Sequence, residues 1–290
     1  SNGVILITTK SGKTGKMQIT YKTQYGISAI NKKYPLQNWF GQGAGGDTIT
    51  NSTFSWGRPL NVPSAPWYDS NRERDKTFDH IASISGLGQA REQSVIASGG
   101  SDKTTFYLSF GKAYEKSHWI NWGDYKDLVQ TTYGHTPNRE NPSDYNRYTI
   151  RLKGSHLLNK NLTLSSSISY VRVNTNNIAR AHTTDGIGRG LLSTPPDFNL
   201  LPYLNPQTQY HRSSTNESPQ LPQGPHSWNN PYWVLFEMMQ KQELNRSYGN
   251  IKIDYKPINW ATLSYNFGAD YSFDKRLDVL PIGTYRDGGL

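Results

Sequence analysis

The chain has 290 residues, with 31 Lys+Arg against 22 Asp+Glu and a formal net charge of +9. Cysteine is absent, which excludes a disulfide scaffold, a thiolate-held metal and a thiol nucleophile. The cations are scattered rather than blocked, which argues against a nucleic-acid partner, and no run of eighteen apolar residues offers a transmembrane helix.

Only 34% of residues are hydrophobic and the mean hydropathy is −0.73, yet the chain carries 8 Trp, 19 Tyr and 9 Phe. That is too aromatic for a disordered polar segment. A Tyr-rich chain without long apolar runs fits some β-sandwiches and outer-membrane barrels.

In chain order, Val4-Ile5-Leu6-Ile7 reads as a buried-type strand, and Lys10-Ser11-Gly12-Lys13 as a basic, Gly-containing linker. Seven segments then show period-two character, at about 17–25, 91–98, 104–115, 145–157, 162–173, 244–255 and 263–273. In the first, Met17, Ile19, Tyr21 and Tyr25 share one face and Gln18, Thr20, Lys22 and Gln24 the other. The last is the clearest, with Leu263, Tyr265, Phe267, Ala269, Tyr271 and Phe273 against Ser264, Asn266, Asp270 and Ser272. The links 99–103, 158–161 and 256–260 contain Gly, Asn or Pro and predict tight hairpin turns. Links 29–90, 116–144, 174–243 and the tail from 274 are long, rich in Gly, Pro, Asn, Ser and Trp, and lack sustained helical period.

Tight and long links therefore alternate, as they must when short turns lie on one side of a membrane and long loops on the other. Strands of about twelve residues reach ~40 Å, enough for a tilted span of an apolar band ~25 Å tall. Lipid requires an apolar outward face and a paired backbone, while a water-filled lumen tolerates Ser, Thr, Asn, Lys and Arg. Tyr255 and Trp260 beside one turn, and Tyr170 and Tyr271 toward the other strand end, suit interfacial rings, although cross-strand packing explains any single ring equally well. The expected fold class is thus all-β, an antiparallel transmembrane β-barrel. Seven strands do not close such a barrel, so further strands are expected outside this sequence. A soluble sandwich is the architectural alternative.

Particular stretches resemble one family. Asn2-Gly3-Val4-Ile5 followed by Thr9-Lys10-Ser11-Gly12-Lys13 is similar to the end of the plug domain in SusC/RagA TonB-dependent outer-membrane proteins. Ser55-Trp56-Gly57-Arg58-Pro59 resembles a motif of that family's first external loop, and Ser98-Gly99-Gly100-Ser101-Asp102-Lys103-Thr104 its glycine-rich hairpin. Tyr148-Thr149-Ile150-Arg151-Leu152 and Asn229-Asn230-Pro231-Tyr232 look like later landmarks. The resemblance implies that 1–16 end a plug and linker, and that 17–290 begin a plugged, 22-stranded barrel. It also implies import of oligosaccharides, or sometimes peptides, with a SusD-like surface lipoprotein as a lid. Energy would come from the TonB complex, through an N-terminal part of the parent protein that this sequence lacks. A non-energised porin or adhesin, and a soluble carbohydrate-binding domain, are the rival functions.

Enzyme chemistry finds little support. Gly41-Gln42-Gly43-Ala44-Gly45-Gly46 matches a dinucleotide spelling but lacks the flanking strand and helix, and reads as a flexible loop. Gly12-Lys13-Thr14 has Ile7 where a phosphate loop needs glycine. The seven His have no metal-ligand spacing, and His156 reads as a structural strand residue, so no cofactor or metal is expected.

Two sets of candidate binding residues remain. Trp56, Trp67, Tyr68, Trp119, Trp122, Trp228 and Trp233, together with Trp39, fall in the long links. They are expected either to meet a ligand or lid or to pack the links together. Lys22, Arg147, Arg151, Lys153 and Lys252 fall on the polar strand faces, where they outnumber Asp254 and Asp270. Their excess suggests a preference for acidic or strongly polar solutes.

Overall fold

A computed structural model describes residues 10–48, 52–60, 62, 76–120, 138, 143–178, 186–204, 212 and 228–285. All seven anticipated strands form: β1 (Gly15–Ser28), β4 (Gly88–Gly100), β5 (Thr104–Lys116), β6 (Asp144–Asn159), β7 (Leu162–Asn177), β8 (Met239–Ile258) and β9 (Ala261–Val279). They make one antiparallel sheet in the order β1-β4-β5-β6-β7-β8-β9, with β1 and β9 as its edges. The three tight turns shrink to 101–103, 160–161 and 259–260, and the strands run several residues beyond the alternating segments.

Register turns seven alternating strands into two continuous faces. Ile19, Ala97, Leu108, Leu152, Ile168, Gly249 and Ala269 lie side by side across the sheet. The row above is Tyr21, Val95, Phe110, Ile150, Tyr170, Ser247 and Tyr271. Lower rows continue through Phe106, Ile251 and Phe267 to Leu164, Ile253 and Tyr265, then to Leu162, Tyr255 and Leu263. From the Leu263 row to the Phe273 row, whose other members are mostly polar and mark the upper edge, is ten residues of strand, ~33 Å, or ~25 Å once tilted as in a membrane barrel. The apolar face therefore has the height of a lipid-facing band.

That face is bare. Leu263 is 64% exposed and Tyr271 71% exposed, and the only other sheet among the described residues is the two-residue pair β2 (Gly43–Ala44) with β3 (Asp47–Thr48). No sandwich partner covers it among those residues. This is the arrangement of a β-barrel fragment.

The packed core sits instead in the long links. Short helices α1 (His80–Ser83), α2 (Ile187–Ser193) and α3 (Pro231–Phe236) interrupt links that show no helical period in sequence. Ile84, Ile120, Ile187, Leu191, Phe198, Leu200, Tyr203, Tyr232, Phe236 and Met238 form one buried cluster with their neighbours. Every residue of α3 is buried. Asn230 starts it by accepting a hydrogen bond from the Tyr232 N–H at 2.9 Å, and Pro231 takes the first helical position, where a missing N–H costs nothing.

The link body is tied together from all sides at α3. Tyr232 Oη donates to the Ser83 carbonyl of the first long link at 3.2 Å. Asn230 Nδ2 donates to the Leu200 carbonyl at 2.8 Å. Trp233 Nε1 donates to Thr284 Oγ1 at 2.9 Å, beyond β9. The described parts of the four long links thus fold into one structure at the end of the sheet opposite its tight turns.

The glycine-rich 41–46 is ordered rather than a flexible loop. Gly45 and Gly46 have φ of +64° and +89°, the left-handed pair that a two-residue hairpin turn requires, and they join β2 to β3. The glycines lead into β3 rather than a helix N-terminus, so the spelling carries no phosphate site. The Ser55-Trp56-Gly57-Arg58 stretch runs alongside, with Trp56 N donating to the Gly43 carbonyl at 3.0 Å and Gly57 N to that of Gly41 at 2.9 Å. A Cβ at Gly57 would lie 2.3 Å from the Gln42 carbonyl oxygen, so close backbone approach explains the glycine.

Candidate functional site

The polar face of the sheet is the first candidate. Lys22, Arg147, Arg151, Lys153 and Lys252 all fall on it, as their register partners show: Lys22 pairs Ser94, Arg151 pairs Ser109 and Ser169, and Lys252 pairs Ser165 and Asn266. Acidic residues on the same face offset them more fully than Asp254 and Asp270 alone would. Glu92 lies 3.6 Å from Arg147, and Lys252 Nζ lies 2.9 Å from Asp254 Oδ1. Arg246 grips Asp270 with both arms of its guanidinium, its Nε donating at 2.9 Å. Gln242 Nε2 and Arg276 Nη2 both donate to Asp274. The face is therefore a charge-balanced, hydrogen-bonding surface, without the strong positive field that the five basic residues alone suggest.

His156 is on the other face, its Nδ1 2.7 Å from Thr104 Oγ1 on the neighbouring strand. It is a cross-strand structural histidine.

The chain ahead of β1 lies over the polar face near the tight turns. Ser11 and Gly12 border a hollow lined by Thr105, Lys153, Ser165 and Lys252. A Cβ on Gly12 would lie 2.3 Å from the Phe106 carbonyl oxygen, so this linker presses directly on the β5 backbone. At the crossing, a Cβ on Gly99 would come within 2.8 Å of Met17 Cα, which gives the Ser98-Gly99-Gly100 stretch a steric role.

The second candidate is a cleft of about 740 Å³ between the first and third long links. Tyr34, Phe54 and Trp56 offer rings to it, with Trp56 59% exposed. The Lys33–Asp79 ion pair and Arg189 supply its charges. Two contacts hold its walls together: Phe78 N donates to the Pro196 carbonyl at 2.8 Å, and Gln42 N donates to Asp197 Oδ1 at 2.9 Å. Gly41 is needed beside that carboxylate, because a Cβ there would lie 2.5 Å from Asp197 Oδ2.

The candidate aromatics divide by burial. Trp233 is 4% exposed and Trp228 2% exposed, so both pack the link body rather than present rings to a ligand. Trp228 does line the cleft, and its Nε1 is a buried donor with no partner among the described residues. Trp119 packs partly buried against the core. Trp56 alone of the described candidates keeps an open ring at the cleft. Trp67, Tyr68 and Trp122 lie outside the described residues. Asp197, Glu237 and Tyr203 carry no local pattern that marks them; only their partners, far away in sequence, reveal them.

Three titrating groups report on the docking of the links. Burial raises the Tyr203 pKa, and the Glu237 carboxylate, 2.8 Å from its hydroxyl, raises it further. At Asp79, burial works upward, but the Lys33 ammonium and the Ala82 N–H outweigh it and the pKa is lowered. His80 Nε2 donates to the Pro195 carbonyl at 3.0 Å across the cleft wall. Its pKa is lowered by burial, against the opposing pull of that carbonyl and of Asp79.

The undocked histidine protonates near 6.5 and the docked one only at lower pH. The contribution of His80 to docking is therefore at full strength above about pH 6.5 and weakens progressively as pH falls below it. We expect amide exchange at 76–84, corrected for its intrinsic rate, to rise between pH 7 and 5, roughly the range over which a histidine changes charge. His80→Gln should flatten that rise; an unchanged profile in the variant would assign it to another group.

No family model matches this chain, and no curated protein matches it. Among solved structures it is similar to the RagAB peptide importer in its "closed-closed" state, with TM-score 0.60 and 17% identity over 92% of this chain and 29% of that chain. The "open-open" state gives TM-score 0.60 at 18% identity, and a further structure of the RagAB peptide transporter gives 0.59 at 18%, with the same coverage. This chain thus spans less than a third of those neighbours. At such identity the likeness is one of fold, and the fold it shares is that of a β-rich stretch of a transporter.

Proposed function

We propose that this chain is part of an outer-membrane, TonB-dependent importer of the SusC/RagA kind, carrying oligosaccharides or peptides inward with a SusD-like lipoprotein over its mouth. In this reading residues 1–16 end the plug and its linker, and 17–290 begin the barrel. The observation that carries it is the two-faced sheet, with one face apolar over a membrane's height and the other wet and charge-balanced. The linker at Gly12, lying on the polar face, fits a plug that sits inside the barrel. The likeness to the RagAB peptide importer supports the same direction.

The mechanism is binding and gated passage, with no covalent step. A solute would meet the cleft rings of Trp56, Phe54 and Tyr34 through its apolar faces, and the Lys33–Asp79 pair and Arg189 through its polar groups. A charge-balanced polar face then favours strongly polar solutes over anions as a class.

Uptake of labelled oligosaccharides and peptides by cells tests this. Deleting the full-length gene and, separately, removing the TonB complex should each abolish accumulation of one solute class. Accumulation that persists without the TonB complex would establish a non-energised barrel instead.

A further inference from the structure

The apolar face does not end in plain polar residues at its long-link end. The row holding Phe273 reads Thr23, Gln93, Lys112, Tyr148, Arg172 and Asn245 across the sheet. The next row carries Arg91 and Lys275, and the one after it Lys116 and Lys241. These six basic residues share the apolar face with two acidic ones, Glu243 and Asp144, among the described residues. Arg172 is paired, its Nη2 donating to Glu243 at 3.0 Å. Arg91, Lys112, Lys116, Lys241 and Lys275 make no ion pair among the described residues.

Two of these side chains are held at the band edge by rings. Lys112 Nζ stands 5.5 Å from the centroid of Tyr148, and Arg91 Cζ stands 5.8 Å from that of Tyr25. Lys112 and Arg172 are two strands apart, ~10 Å, and Arg91 is a diagonal neighbour of Lys112 at ~7–8 Å. The result is a cationic patch over β4–β7 at the depth where hydrocarbon gives way to headgroups. Arg172 shares its charge with Glu243, but the unpaired Arg91 and Lys112 at that depth call for an anion, and the abundant anion there is a lipid phosphate.

We propose that Arg91, Lys112 and Arg172 form a docking site for the phosphate groups of an outer-leaflet glycolipid. The inference rests on the membrane-spanning reading of the sheet. It adds a lipid ligand on the outside of the barrel to the solute on the inside.

The test uses the full-length protein in nanodiscs carrying a trace of phosphorylated lipid A or of the same lipid dephosphorylated, with retention after dilution measured by native mass spectrometry. The wild type should retain the phosphorylated lipid and release the dephosphorylated one. Arg91→Gln/Lys112→Gln/Arg172→Gln should weaken retention roughly tenfold or more. Lys22→Gln/Lys252→Gln, which removes charge from the other face, should leave retention unchanged. Equal retention of both lipids by the wild type, or undiminished retention by the triple variant, overturns the proposal. Failure of the wild type to enter nanodiscs at all would overturn the membrane reading itself and is seen separately.

Discussion

An arginine at Ile251 is expected to destabilise the membrane-inserted protein by ~2–4 kcal/mol, and one at the adjacent Asn250 by under ~1 kcal/mol. The two positions are neighbours on β8 but face opposite ways. Ile251 lies between Ser166 and Phe267 near the middle of the apolar band, where lipid can neither solvate a guanidinium nor accept its hydrogen bonds. Asn250 lies between Ser167 and Gly268 on the wet face and donates to Asn266 at 2.8 Å; an arginine there loses one exposed hydrogen bond and keeps its water. Urea unfolding of the full-length protein in lipid vesicles measures the difference. At 1.4 kcal/mol per decade, the Ile251→Arg shift is ~30- to 1000-fold in the folding equilibrium. A sheet whose apolar face stood open to water would behave differently, because water would solvate the guanidinium there. Similar, small effects at both sites would therefore remove the membrane reading.

That contrast also explains which parts of the fold are legible from sequence. Where one face meets lipid and the other water, every second residue is constrained, and Leu263 to Phe273 spells a strand unaided. Beyond the band the constraint lapses. Met239-Gln-Lys-Gln-Glu243 continues β8 with both faces polar, and nothing in its spelling distinguishes it from a loop. The belt of Arg91, Lys112 and Arg172 is likewise invisible in any one strand, and exists only once register sets β4 to β7 side by side. The link body is less legible still. Sequence alone predicts a flexible loop at 41–46 and an aperiodic link around Asn230-Pro231, where the structure has a tight turn and a helix start. The bond from Gln42 to Asp197 spans 155 residues, and no local period announces it. Burial of Trp228 and Trp233, against exposure of Trp56, depends on the same long-range assembly.

The sheet and the link body are held by different forces, so damage to one should leave the other standing. Phe236 is fully buried, with its ring 6.2 Å from Tyr203 and 6.4 Å from Tyr232, inside a cluster that draws residues from several long links. Phe236→Ala removes a whole ring from a packed interior whose neighbours are pinned by hydrogen bonds, such as Tyr203 Oη to Glu237 at 2.8 Å. The cavity cannot collapse freely, and the expected cost is ~3–5 kcal/mol, enough to release a small, locally stabilised unit. The strands depend on backbone ladders and lipid contact instead, and β8 and β9 pair along nearly their whole length. Limited proteolysis of the full-length variant in membranes should therefore cut rapidly within the long links, while the barrel keeps its compact electrophoretic mobility in unheated detergent. Uptake should fall with the loss of the cleft, because its walls at Phe78 and Pro196 lean on that same body. If instead the strands unfolded together with the links, the apolar cluster would be a foundation of the sheet rather than a separate structure built at its open end.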